Sequence, residues 1–344
     1  RAAPPPPPVA DLLAATPRGA AATEEAALAR ELDAGSIAAG LTLVRLWEGR
    51  RDRARERVAA CRKLVLLAPA DAGLLERLAA AARADANPVY AAAIEHVRHA
   101  LLDEPDPPPP LLAQPEQPER VRLMLFRERG AVQEALALVW EGASHVFKRE
   151  PAAYGVTGVE RVPFWAPSPV ARVYGAAART LGISPPLFQR RVGGDITLSI
   201  ALLQTPSVIV TGELPRPSPE FAFHLGVMLA AAMPGHALLC GAPEDQARGV
   251  LRALAMAFGP PSAMAEVRAA TRRAGLFVAG DLRVAVREVA LELELPLERG
   301  FGEAIASCPE LFDLFRLATS PEYAEARWQP ARLTSKAPEG TWLV

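Results

Sequence analysis

Pro206-Ser207-Val208-Ile209-Val210-Thr211-Gly212, then, past Pro217-Ser218-Pro219, Glu220-Phe221-Ala222-Phe223-His224-Leu225-Gly226-Val227-Met228-Leu229-Ala230-Ala231: a β-branched run gives way to a helical one. Val, Ile and Thr pack well on a pleated surface, so Val208 to Thr211 is predicted as a strand. The following helix is predicted to run to about Met233, with Phe223, Val227, Ala230 and Ala231 as a core-facing stripe. Upstream, Leu187 to Val192 and Ile196 to Leu202 have the same β-rich character, and Gly193-Gly194-Asp195 between them is turn chemistry. The first two strands are therefore expected to form a hairpin. Further upstream, residues 121–150 read as one or two helices through Leu136, Leu138, Val139, Trp140, Val146 and Phe147. A loop follows at Tyr154-Gly155-Val156-Thr157-Gly158, then a helix from Pro167 to Leu181 that stops at Gly182. Downstream, helices are expected near 243–258, 261–273, 281–293 and 300–318, the third of them capped by Asp281. Residues 121–344 thus read as an α+β domain, helices around one small sheet.

Ahead of this domain the pattern is helical only. Leu41, Val44, Leu46 and Trp47 mark one apolar face, Val58, Cys61, Leu64, Val65 and Leu67 a second. Leu74, Leu75, Leu78 and Ala81 mark a third, and Ala92, Ile94, Val97, His99 and Leu101 a fourth. Spacings of three and four dominate. Thr23 with Glu24 and Glu25 is read as the first N-cap and acidic turn. Breaks at Gly49, Pro69 to Gly73 and Asn87-Pro88 are short, so the helices should fold back as antiparallel hairpins. Residues 19–104 are therefore expected to be a helical-hairpin region. Leu66-Leu67-Ala68-Pro69-Ala70-Asp71 resembles the Pro-containing end of a tetratricopeptide repeat, and the resemblance implies a surface that binds a protein segment. Two proline-rich segments flank the region: residues 1–18, with Pro4 to Pro8, and residues 105–120, with Pro107 to Pro110. Proline lacks an N–H and fixes φ, so both read as linkers. The whole chain is expected to be mostly α with a small sheet.

Composition narrows the function. Lys and Arg number 38 against 39 Asp and Glu, a formal net charge of −1. Nucleic acid and anionic membranes call for concentrated basic surface. The run Arg50, Arg51, Arg53, Arg55 and Arg57 alternates with Asp52 and Glu56 as a solvated helix face does. No apolar run reaches the roughly 18 residues of a membrane span. Cys61, Cys240 and Cys308 are scattered, without the pairing of a disulfide framework or the spacing of a metal site, which suits a reducing compartment. A cytoplasmic protein is the expectation. The sequence opens on Arg1 and is read as a fragment, so an export signal ahead of it stays open. Heavy use of Ala, Arg, Pro and Leu with little Lys reads as the product of a GC-rich bacterial genome.

Several stretches between Ile196 and Gly280 carry a resemblance. Pro206 to Leu214 matches a strand of the form apolar–Val–Thr–Gly–Leu. Pro219-Glu220-Phe221-Ala222-Phe223-His224-Leu225-Gly226 matches the approach to an active-site helix, and Pro234-Gly235-His236-Ala237-Leu238 the turn after it. Thr271-Arg272-Arg273-Ala274-Gly275-Leu276 matches the stretch after a glutamate-bearing helix. Together they resemble the core of the HtpX-like zinc metallopeptidases of the gluzincin group. In that family the turn histidine stands nine residues past the first histidine of HExxH. The resemblance then places HExxH on Val227, Met228, Leu229, Ala230 and Ala231, and the third ligand on Arg268, four residues before Arg272. Zinc needs lone-pair donors from His, Cys or carboxylate, and the attacking water needs a general base. Val227, Met228 and Ala231 offer at most a weak thioether, and the Arg268 guanidinium has no lone pair to give. Glu266 is two residues off, roughly 200° around the helix. The resemblance implies a domain of peptidase outline with its metal and catalytic residues replaced.

Other constellations are weaker. Glu220 and His224, four apart on one helix, with His236 beyond, are the alternative metal set for an atypical zinc-dependent hydrolase; a helical Glu–His pair is more simply a surface hydrogen bond. His96 and His99 share a face without a third ligand. Ser144-His145 are helix neighbours that point apart. Cys240, in an apolar stretch, is expected to be a small buried residue. The chain has no GxSxG, no P-loop and no GxGxxG opening a helix after a strand. The resulting expectation is a non-catalytic scaffold built from helical repeats and an inactive metallopeptidase-like domain, with protein partners. No cofactor, nucleic acid, membrane span or small-molecule substrate is expected.

Overall fold

A computed structural model describes residues 18–108, 118–126, 131–163, 165–258 and 263–328. The proline run Pro4 to Pro8 and residues 109–117 of the second proline-rich segment lie outside the described residues. The chain is mostly α with a single three-stranded sheet among the described residues.

The N-terminal layer is a sequential stack of α1 (Arg18–Asp33), α2 (Ile37–Leu46), α3 (Ala54–Leu67), α4 (Ala72–Ala84) and α5 (Pro88–Leu101), each packed on the next. Three of the starts are set by short polar side chains that bond an early backbone N–H. Ser36 accepts from Ala39 N at 3.3 Å, Asp71 from Gly73 N at 2.9 Å and Asn87 from Tyr90 N at 3.0 Å. The cap expected at Thr23 is not there: α1 begins at Arg18, and Thr23 lies inside it. Competing with the Thr23 cap are good helix formers on both sides, Ala20 to Ala22 and Ala26-Ala27, which carry the helix through. The break at Gly35-Ser36, with Gly35 at φ +97°, has no counterpart in the sequence reading.

α6 (Pro118–Phe126) takes in the last residues of the segment read as the second linker. α7 (Ala131–Phe147) and α8 (Pro169–Leu181) lead to the sheet; Ser168 caps α8, and Gly182 ends it in the left-handed region at φ 64°. The strands are β1 (Leu187–Arg190), β2 (Thr197–Leu202) and β3 (Pro206–Thr211), in the order β1-β3-β2. The expected β1–β2 hairpin is therefore corrected. β2 and β3 form the hairpin, antiparallel with Leu198 opposite Val210, and β1 joins the far side of β3 in parallel, with Phe188 beside Ile209. The reason lies in β3, whose first five residues are all buried. A strand apolar on both faces stabilises most at the centre, flanked on both edges. The connection Leu203-Gln204-Thr205 is short enough to turn directly, and the Gly193-Gly194 loop lets the chain step across.

α9 (Pro219–Ala231) opens on Ser218, which accepts from Phe221 N at 3.1 Å. It bends by 110° into α10 (Pro234–Gly241), whose Gly241 lies directly over Ile200 and Leu202 of β2. No single helix among the described residues is long and apolar enough to cross a membrane. α11 (Glu244–Phe258), α12 (Ala263–Ala279), α13 (Leu282–Glu292), α14 (Phe301–Ser307), α15 (Pro309–Ala318) and α16 (Pro321–Arg327) complete the chain. Asp281 caps α13 as expected, accepting from Arg283 N at 2.8 Å. One apolar core runs from Leu43, Leu64 and Ile94 of the N-terminal stack to Phe277, Phe315 and Tyr323. Polar ties cross the same boundary: the Tyr90 hydroxyl donates to the Thr319 carbonyl at 2.8 Å, and Arg62 Nε donates to it at 3.1 Å.

Candidate functional site

The two helices on which the resemblance places metal ligands, α9 and α12, make the most extensive helix pairing among the described residues. They meet at two glycines. A Cβ on Gly226 would stand 2.9 Å from the Ala274 carbonyl oxygen and 2.9 Å from Gly275 Cα. A Cβ on Gly275 would stand 2.8 Å from Val227 Cγ2 and 2.9 Å from the Phe223 carbonyl oxygen. Such approaches are closer than any real Cβ contact, so the backbones themselves touch and side chains pack around the crossing. Phe223, Ala230 and Ala231 are buried as the stripe requires, and Val227 is half-buried with its methyl on Gly275.

The four substituted positions are not alike in exposure. Ala231 is in the core and Met228 is half-buried. Arg268 is exposed and lies seven residues before Gly275 in α12, about 10 Å along a helix at 1.5 Å per residue. It lines an open cleft of about 840 Å³ together with Glu266, Arg272, Arg273, Glu310 and Asp313.

The alternative set does not converge. Glu220 is exposed. His224 Nε2 is 2.8 Å from Glu288 Oε2 on α13. His236 sits beyond the 110° bend, buried, with Nδ1 2.9 Å from the Ala230 carbonyl oxygen and its ring against Phe126. Among the described residues no three His, Cys, Asp or Glu side chains are grouped to hold a metal ion. The bend is what separates the pair from the third member, and periodicity within one helix could not register it. His96 and His99 likewise turn to different partners, Asp106 Oδ2 at 3.1 Å and Glu104 Oε2 at 2.7 Å. The His96 hydrogen bond, and the ring's charge when protonated, hold the Asp106 carboxyl below the ordinary aspartate range. Ser144 is buried and His145 exposed, so the two do point apart. Cys240 is exposed, not buried as expected, because it falls on the outer side of α10 while Ala237 and Leu238 turn to the core.

The charged residues around the cleft were not legible as a site. Arg272 is 4% exposed and binds the Glu292 carboxylate with Nε at 3.1 Å and Nη2 at 2.9 Å. Arg273 is 6% exposed and donates to the Leu125 carbonyl oxygen at 2.7 Å and to Asp313 Oδ2 at 2.8 Å. Two adjacent arginines can be buried only because carboxylates arrive from α13 and α15, and nothing in local spacing announces that. A further residue sequence reasoning missed is Arg327, 1% exposed, whose Nε donates to the Phe277 carbonyl oxygen at 3.0 Å. Its guanidinium lies against Gly280, where a Cβ would come within 2.2 Å of Nη2.

In comparisons with known proteins, no family model, no curated protein and no solved structure matches the chain.

Proposed function

We propose that the chain is a non-catalytic interaction protein. The N-terminal stack, tetratricopeptide-like in its hairpin arrangement, presents a surface to a protein partner. The C-terminal half is a pseudo-enzyme module, of gluzincin outline without its chemistry. The observation that carries this reading is the glycine crossing of α9 and α12. Zinc hydrolysis needs three lone-pair donors around an open coordination position and a base beside it. At this crossing backbone rests on backbone, and the corresponding positions hold Val227, Met228, Ala231 and Arg268.

The test combines metal content with turnover. Protein equilibrated with zinc and dialysed is expected to retain well under one ion per chain and to leave casein uncut, with or without a chelator. One stoichiometric zinc, lost together with chelator-sensitive cleavage in His224→Ala or His236→Ala, overturns the reading. Co-purification followed by mass spectrometry then identifies the protein partner; recovery of the chain alone from its native source counts against an interaction role.

A further inference from the structure

The outer edges of the sheet are finished differently. Beside β1, Arg161 forms an antiparallel bridge to Phe188. Beside β2 the cover stops at Leu202, whose N–H donates to the Tyr154 hydroxyl at 3.0 Å and whose carbonyl accepts from Arg149 N at 2.9 Å. The alternation of the ladder fixes what lies beyond. Val208 N donates to the Pro186 carbonyl and Gly212 N to the Arg190 carbonyl, so the even-numbered residues of β3 turn their polar backbone toward β1. Their antiparallel partners Ile200 and Leu198 then stand in non-hydrogen-bonded pairs with β3 and aim N–H and C=O away from it. Among the described residues no strand lies there to receive them. Leu198 is half-buried, and Thr197 and Ser199 are exposed. β2 carries none of the usual guards of an open edge: it has no charged side chain, no proline and no bulge.

This edge is complementary to itself. Two copies of β2 laid antiparallel about a two-fold axis at Ser199 place Leu198 of each opposite Ile200 of the other. The outward backbone groups of the two strands then meet in two hydrogen-bonded pairs. Centring on Ser199 uses every open outward group inside β2 and none outside it, because Leu202 is already taken by Arg149 and Tyr154. Leu198 and Ile200 share one face of the strand, so their side chains continue an apolar strip across the axis, while Ser199 meets Ser199 on the other face. Charge follows the same register. Asp195 of each copy arrives opposite Leu203 of the other, at the end of β2 where Arg149 holds Leu202 and Lys148 Nζ lies 3.1 Å from Gln204 Oε1. Asp195 and Arg149 are exposed, and neither has an ion-pair partner among the described residues. We propose that the β2 edge is the contact surface for a second copy of this chain, joining two sheets into one continuous sheet. The contact is isologous: each copy offers Leu198, Ile200, Asp195 and Arg149 and receives the same.

Sedimentation velocity of the full chain over a concentration series tests this. So short a strand contact gives a reversible dimer with a Kd on the order of 10 µM. Ser199→Lys sets like charges face to face on the axis at an exposed position, and should weaken association at least about tenfold while leaving the monomer folded. Asp195→Lys and Arg149→Glu should each weaken it about fivefold, and the double variant should return close to wild type because the pairs re-form with reversed sign. Cross-linking reads the register. In a Cys240→Ser background, which removes the exposed thiol, Ser199→Cys should yield a disulfide-linked dimer under mild oxidation. Residues facing each other in a non-hydrogen-bonded pair lie about 4.5 Å apart at Cα, within disulfide reach. Thr197→Cys in the same background stands about 13 Å from its own copy and should not cross-link. A chain that stays monomeric well above the expected Kd, a dimer that Ser199→Lys leaves intact, or equal cross-linking of Thr197→Cys and Ser199→Cys overturns the proposal.

Discussion

Replacing glycine by alanine inside a helix ordinarily stabilises a protein by roughly 0.5–1 kcal/mol, because alanine loses less conformational freedom on folding. At Gly226 and Gly275 the sign should reverse. The added Cβ of Gly226→Ala meets the Ala274 carbonyl oxygen and Gly275 Cα at 2.9 Å, and Val278 Cβ at 3.0 Å. Two of these three are backbone atoms of a well-packed helix, which cannot swing aside as a side-chain tip can. Overpacking of this kind costs about 1–3 kcal/mol, so after the propensity gain each variant should lose about 1–2 kcal/mol. Gly249 supplies the internal control: it lies in α11 with nothing within 4 Å of an added Cβ, and Gly249→Ala should gain about 0.5–1 kcal/mol. The double variant Gly226→Ala/Gly275→Ala should cost less than the sum, since the first methyl already parts the helices for the second. Urea unfolding with linear extrapolation measures all four. If Gly226→Ala and Gly275→Ala stabilise as much as Gly249→Ala, the backbones are not in contact and there is space between α9 and α12.

Four other substitutions probe the rest of the framework. Gly280→Ala places a Cβ at φ +73° and 2.2 Å from Arg327 Nη2, so it should destabilise by about 3 kcal/mol in the same assay. Asp313→Asn removes the counter-charge of the buried Arg273 and should cost about 3 kcal/mol or more, whereas Arg248→Gln at the exposed Arg248–Glu244 pair should cost under 1 kcal/mol. Asp106 ionises more readily folded than unfolded because His96 bonds its carboxylate, so its contribution is present above the ordinary aspartate range and is lost as pH falls through the lowered value. Wild type should accordingly exceed Asp106→Asn in stability near pH 5, and the two should converge near pH 2–3 in urea titrations. A gap that persists unchanged into acid would show that the His96–Asp106 bond is not the source.

Much of the fold was readable because it is locally encoded. Asp281 and Gly182 announced a helix start and a helix stop, and the β-branched run at Val208 to Thr211 announced the central strand. Alternation identifies a strand without naming its neighbour, so the β1-β3-β2 order was not available from pattern alone. The decisive glycines were in view: Gly226 ends one of the stretches behind the peptidase resemblance and Gly275 sits in another. Their contact depends on two helices distant in sequence crossing at that register. The buried arginines failed to register for a related reason. Nothing local marks Arg272, Arg273 and Arg327 as buried; Glu292, Asp313 and the Phe277 carbonyl reach them from elements distant in sequence. Proximity in sequence suggested Glu220, His224 and His236 as partners, and the bend after Ala231 parts them.

The most direct test of the central claim is a crystal structure of zinc-soaked protein with anomalous diffraction recorded at the zinc edge. The account predicts Gly226 and Gly275 in backbone contact and no anomalous peak between α9 and α12. A zinc peak between those helices, coordinated by side chains of this chain, would contradict it.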